Sequence, residues 1–112
     1  MPDLEISATD GFLLAATSFA ASSAAAQKCT VVINSALGVP RQYYRGFAEF
    51  LAGRGFEVVT WDVRGNGQSR PPSLKGFVVR MDDWCRLDAA GVLIWARAQW
   101  PDNKLMVIGH SS

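Results

Sequence analysis

The feature that most constrains this chain is the run Cys29-Thr30-Val31-Val32-Ile33, apolar or β-branched at every position. A half-exposed strand alternates apolar and polar residues. A continuous run suits a strand covered on both faces, as in a parallel sheet. Two further runs repeat the signal: Phe56-Glu57-Val58-Val59-Thr60-Trp61, and Leu105-Met106-Val107-Ile108, which reads as a short buried strand. The segments between them carry helical spacing. Pro40 can open a helix at its first turn. Tyr43, Phe47, Phe50, Leu51 and Arg54 then follow at i, i+4, i+7, i+8 and i+11, an apolar stripe with an amphipathic end on one face. Gly53 and Gly55 offer the left-handed stop. A second helix is expected from near Asp82. Trp84, Leu87, Gly91, Ile94, Trp95 and Ala98 mark its buried face, and Pro101 ends it. Asp82 and Arg86 stand at i, i+4 with the acid first, the better order for a surface pair. Strand, helix and strand, twice over, predict two βαβ units with right-handed crossovers.

Ahead of these units, residues 4–8 alternate loosely, and Asp10-Gly11 signals a hairpin with a mirror-image turn. Residues 12–19 read as the second strand of that hairpin. Residues 20–27 are a small-residue run, read as a surface loop, with a short helix as the alternative. The predicted fold class is therefore α/β: an antiparallel hairpin followed by parallel strands with crossover helices. A chain of 112 residues is one domain at most.

Composition removes several function classes. At 49% hydrophobic and 19% charged, the chain is of the soluble globular type rather than disordered. A net charge of +1 gives no electrostatic case for nucleic acid or an anionic membrane. Cys29 and Cys85 form no C-x-x-C and are expected to be free buried thiols in a reducing compartment, a single disulfide being the alternative. One histidine and no ligand cluster argue against a metal site, and no cofactor is expected. The apolar residues 11–16 and Ala24-Ala25-Ala26 imitate a signal peptide. The required positive region before them holds Asp3, Glu5 and Asp10 instead, and the first basic residue is Lys28. No apolar run approaches the roughly 20 residues needed to span a bilayer. A cytoplasmic location is the expectation.

Three strand ends carry the residues with chemical potential: 34–38, 62–69 and 109–112. Sites in parallel α/β sheets form at the carboxyl ends of the strands, so these loops should converge on one edge. Gly109-His110-Ser111-Ser112 would be G-x-S-x-G, a nucleophile elbow, if one more glycine followed. A serine hydroxyl needs a base and a sharp strand-to-helix turn that presents it, which demands small neighbours such as Gly109. Taken alone, the tripeptide is a weak signal and reads more readily as a strand followed by a polar turn. An oxyanion needs two backbone N–H donors. One would come from Ser112. The other would come from the 34–38 loop, from Ala36 ahead of Leu37. The plain alternative is a connecting loop in which Gly38 allows a tight bend.

In the third loop, Gly65 and Gly67 permit positive φ, and Arg64 or Arg70 is a candidate partner for Asp62. This loop is expected to shape the site floor rather than react. A dinucleotide site is excluded, because Gly65-Asn66-Gly67 lacks the third glycine and Pro71-Pro72 follows where a helix must begin. His110 neighbours Ser111 on a strand, so its ring points to the opposite face and it is not the base.

Together these pieces resemble the amino-terminal half of an α/β-hydrolase, in its esterase/lipase-like and serine-aminopeptidase-like branch. The residues that carry the resemblance are the hairpin at Asp10-Gly11, Val31-Val32-Ile33-Asn34-Ser35-Ala36-Leu37-Gly38, the D-x-R-G-x-G-x-S pattern from Asp62 to Ser69, and Ile108-Gly109-His110-Ser111-Ser112. Asn34-Ser35 stands where many members carry His-Gly, and backbone donors do not require those side chains. The resemblance implies a serine hydrolase cleaving an ester or related acyl bond of a small-molecule substrate. Ser111 would be the nucleophile, and Ser112 and Ala36 the oxyanion donors. Asn34, Gly38, Asp62, Gly65, Gly67 and Gly109 would shape the loops. The family's acid and histidine follow the serine along the chain, so both would lie beyond Ser112, as would the lid. Residues 1–112 are thus expected to be a partial domain, inactive alone. The alternatives are an acyltransferase on the same fold, or a non-catalytic truncated product. In the resembled fold the sheet continues past residues 105–108. Here that strand becomes an unguarded edge, through which self-association is expected.

Overall fold

The computed structural model describes residues 3–22, 26–34, 39–62, 64 and 87–109. It opens with the antiparallel hairpin of β1 (Asp3–Ser7) and β2 (Leu13–Phe19), in register from Asp3 opposite Thr17 to Ser7 opposite Leu13. The turn is not the mirror-image kind. Such a turn needs positive φ at one or both central residues, and neither Thr9 nor Asp10 has it; the positive φ falls on the following Gly11, at 91°. The Gly11 N–H donates to the Ala8 carbonyl at 2.9 Å, which centres the turn on Thr9 and Asp10. The Asp10 carboxylate accepts the Phe12 N–H at 3.3 Å.

The parallel strands are β3 (Cys29–Asn34), β4 (Glu57–Trp61) and β5 (Lys104–Gly109). The sheet order is β1-β2-β4-β3-β5. β2 joins β4 antiparallel, and β3 lies between β4 and β5, parallel to both. As its unbroken apolar run requires, β3 is buried along residues 29–33. Between β3 and β4, a 3₁₀ turn (Arg41–Tyr44) after Pro40 leads into α1 (Arg45–Gly53). Gly55, at φ 99°, ends it. Its N–H reaches the Ala52 carbonyl at 3.0 Å and the Phe56 N–H reaches the Leu51 carbonyl at 3.2 Å, the paired bonds of a Schellman stop. α2 (Ala90–Gln99) follows a π-turn at residues 87–89. The expected helix start near Asp82, Trp84 and the Asp82–Arg86 pair lie outside the described residues.

Two cores form, one on each face. Phe19, Val31, Ile33 and Val58 meet Tyr44, Ala48 and Ala52 of the α1 side. Ile6, Leu14, Ala16, Val32, Val59 and Trp61 meet Val92 and Ala96 of α2. The aromatic stripe of α1 is real, yet it faces outward: Tyr43, Phe47 and Phe50 are exposed, with the Arg54 guanidinium 5.2 Å from the Phe50 ring centre. The small residues Ala48 and Ala52 take the sheet side, where they let the helix approach closely.

The buried face of α2 is Gly91, Val92 and Ala96, continued by Asp88 in the turn before it. Of the residues expected there, Gly91 is buried, Leu87 and Trp95 are half-buried, and Ile94 and Ala98 are exposed. Gly91 is required by contact: a Cβ there would stand 2.6 Å from the Ala8 Cα and 2.7 Å from the Ser7 carbonyl oxygen. Trp95 and Trp100 are half-buried and meet edge-to-face at 5.7 Å. β5 is not the buried strand its composition suggests. Met106 and Val107 are exposed, and Leu105 and Ile108 half-buried. No helix among the described residues is long and apolar enough to cross a membrane.

Candidate functional site at the carboxyl ends of the parallel strands

Parallel register brings three strand ends level. Asn34, the last residue of β3, pairs with Trp61 of β4 on one side and with Gly109 of β5 on the other. The carboxyl ends of β3, β4 and β5 therefore stand together at one edge of the sheet, and the loops expected to converge there lie largely outside the described residues. Asn34, Asp62 and Gly109 are described there. Ser111, Ser112, His110, Ala36, Leu37, Gly38, Gly65, Gly67 and Arg70 lie outside the described residues. Among the described residues other than Gly109 and its chain neighbours, no atom stands within 4 Å of the place a Cβ on Gly109 would take.

The polar groups at this edge are tied down. The Trp61 indole N–H donates to Asn34 Oδ1 at 2.8 Å. Asp62 is fully buried, and its partner is Arg41 rather than Arg64: Oδ1 accepts the Arg41 backbone N–H and Oδ2 the guanidinium, both at 2.7 Å. The Arg41 Nε–H donates to Thr17 Oγ1 at 2.9 Å, and the Thr17 hydroxyl donates to Asp3 Oδ1 at 2.8 Å. That last bond holds the Asp3 carboxyl below its ordinary value, with help from Arg41.

Arg64 is engaged elsewhere. Its backbone N–H and Nε–H donate to the Asp88 carboxylate at 2.8 Å each, and its two Nη groups reach the Asp10 carboxylate at 2.9 and 2.8 Å. The Phe12 ring lies 4.6 Å from its guanidinium. The Asp10 hydrogen bonds push Arg64 up, and Arg64 in turn holds the Asp10 carboxyl below the usual carboxylate range. This one side chain fastens the loop after β4 to the hairpin turn and to the start of α2. Each interaction is charge-assisted and most of the group is dry, which makes the pairs strong but costly to break.

Every buried side-chain nitrogen and oxygen among the described residues has a partner. The same residues contain no group of three or more side chains able to hold a metal ion. Cys29 is a buried free thiol, and Cys85 lies outside the described residues. A cleft of about 210 Å³ opens beside Arg41 on the α1 side, lined also by Asp3, Thr17, Phe19, Arg45 and Thr60. Asn34, Asp62 and Gly109 do not line it.

Sequence reasoning missed Trp61, Arg41, Asp88 and Asp10 as parts of this edge. Asp88 left a signal: an acid set among Leu87, Ala89, Ala90, Gly91 and Val92 is misplaced unless a cation meets it. Arg41 left none, since an arginine after proline at a helix start reads as a solvated residue.

A hairpin joined antiparallel to a parallel βαβ sheet, with its strand ends level at one edge, is an arrangement this chain shares with α/β-hydrolase structures. The family model described as "Serine aminopeptidase, S33" matches residues 25–112, and the chain belongs to that family. No curated protein matches the chain. Among solved structures, it is similar to an α/β serine hydrolase without lid from Xanthomonas campestris, at 22% identity and a TM-score of 0.78 over 98% of this chain. It is similar to an alpha-beta serine hydrolase homologue from Coxiella burnetii at 18% identity and a TM-score of 0.79, again over 98% of this chain. A Pyrococcus furiosus esterase matches at 24% identity and a TM-score of 0.75 over 96%. The chain spans 50%, 51% and 40% of those three structures.

Proposed function

We propose that residues 1–112 are the amino-terminal part of one α/β-hydrolase domain, and that the whole protein hydrolyses an ester or related acyl bond through an acyl-enzyme on Ser111. The observation that supports this most is the family match running through Gly109-His110-Ser111-Ser112, in a sheet whose parallel strands end level at Asn34, Trp61 and Gly109. In this reading Ser111 attacks the acyl carbonyl. The N–H groups of Ser112 and Ala36 receive the oxyanion. Asn34, Gly38, Asp62, Gly65, Gly67 and Gly109 shape the loops that present them. The base and its orienting acid follow Ser111 in the family order, and the substrate is a small-molecule acyl compound.

The test is covalent. A fluorophosphonate probe on the full-length protein should label Ser111 and no other serine. Ser111→Ala should abolish labelling and lower ester hydrolysis by at least about 10³-fold. Labelling at Ser35 or Ser69 instead would overturn the assignment.

A further inference from the structure

The cleft beside Arg41 stands apart from the strand ends where the acyl chemistry is placed. Asp3, Thr17 and Thr60 are cross-strand partners in one row over β1, β2 and β4, and this row lines it from the sheet. Phe19, two residues along from Thr17 and on the same face, lines it too. Here the hairpin is open to solvent, for Asp3 and Leu13 on this face are both exposed. From the helix side come Arg41, Gln42 and Arg45. The Arg41 guanidinium is buried and fixed by Asp62 and Thr17. Arg45 is mostly exposed, and its pair with Glu49 at 3.7 Å is a solvent contact of little strength. Two guanidiniums thus border one small cleft. An anion is already beside them: Asp3 Oδ1 lies 3.6 Å from Arg41 Nη2, on a side chain 74% exposed and so able to turn away. The Thr17 hydroxyl holds the Asp3 carboxyl below its ordinary value, and the charges of Arg41 and Arg45 add to this.

We propose that this cleft is a binding site for a small organic carboxylate, taken by Arg45 and Gln42 over the positive charge of Arg41, with Asp3 as a built-in competitor for the same place. The chemistry selects the class. A guanidinium fork matches the two oxygens of a carboxylate, and a neutral amide of the same shape offers no charge to meet it. The Phe19 ring gives a short carbon chain an apolar wall, which a free phosphate has no means to use. Size restricts the guest further: the cleft holds about 210 Å³, below the roughly 300–1,000 Å³ of a site for a drug-sized ligand. Asp3 suits the part of competitor because it is tethered, charged and exposed. A guest carboxylate displaces it into water at little cost. The site is independent of Ser111 and requires no turnover.

The test is a titration of the full-length protein with sodium butyrate, butyramide and inorganic phosphate, followed by the NMR shifts of the Thr17, Gln42 and Thr60 amides. Butyrate should move these amides saturably, and butyramide and phosphate should not. Arg45→Gln should weaken butyrate binding about tenfold, and Asp3→Asn should tighten it about threefold by removing the competing charge. Both substitutions fall on exposed side chains, so a cooperative melt should be retained in each. Ser111→Ala should leave the butyrate affinity unchanged. The site is overturned if butyrate fails to saturate these amides, if butyramide or phosphate binds as well, or if Arg45→Gln binds butyrate as the wild type does. Loss of the shifts in Ser111→Ala would place the ligand at the acyl site and overturn it equally. Weaker binding in Asp3→Asn would refute the competitor role of Asp3.

Discussion

Val32 and Val107 are the same residue type, opposite one another in the β3–β5 ladder and pointing to the same face of the sheet. Val32 is wholly buried and Val107 is 48% exposed. Their strands read almost alike, CTVVIN against KLMVIG. The difference lies in what stands beside them. β3 has a strand on either hand, whereas β5 is the edge of the described sheet. α2 is drawn toward the hairpin, where Gly91 meets Ser7 and Ala8. An apolar run thus reports a strand, and its neighbours determine whether the strand is core.

The well-covered side should be most sensitive at the buried charges that hold it together. Arg64→Ala leaves Asp88 at zero exposure without its guanidinium, and should cost about 3–5 kcal/mol in a urea titration of the full-length protein. A loss below about 1 kcal/mol would mean that water or another cation replaces the guanidinium. The valine pair then sharpens the contrast. In the isolated 112-residue chain, Val32→Ala should cost about 2 kcal/mol. In the same chain, Val107→Ala should stay within about 0.5 kcal/mol, while Val107→Lys should reduce sedimenting oligomers by charging the edge. Equal costs at the two valines would show that β5 is covered in solution.

The smallest effect is a pH dependence. The Asp10 carboxyl lies below its ordinary value because Arg64 hydrogen-bonds to it, so folding binds it more strongly as the anion. Its contribution is complete above the unfolded value of about 3.9 and is lost as the pH falls from there through the lowered folded value. Asp10→Asn should flatten the loss of melting temperature between pH 5 and pH 2.5, both values being on the order of this window. Asp3, lowered by Thr17, should leave a residual slope of the same sign.

Much of the architecture is legible in the residues themselves. Continuous β-branched runs locate the parallel strands, Gly55 marks the stop of α1, and Gly91 falls on a buried face. Periodicity identifies which residues share a face, but not which face meets the sheet. For α1 the aromatic side turned outward, because close approach favoured Ala48 and Ala52. The edge chemistry was less legible for a different reason. Arg41 finds Asp62, and Arg64 finds Asp10 and Asp88, across long stretches of chain, and no local spacing encodes such partners. The D-x-R-G pattern singled out Asp62 and Arg64 as structural, yet it could not say that each serves a different neighbour.

The hairpin raises a matter of timing. It leaves the ribosome ahead of the partners that tie it to the sheet. β2 must wait for β4 to arrive before it joins the sheet. Asp10 must wait for Arg64, 54 residues later, and the Thr9 N–H must wait for the Leu87 carbonyl. During synthesis the hairpin is therefore made well before it can be secured. Its apolar side chains, Leu14 and Phe19 among them, stay unburied while the sheet that will receive them is still being translated.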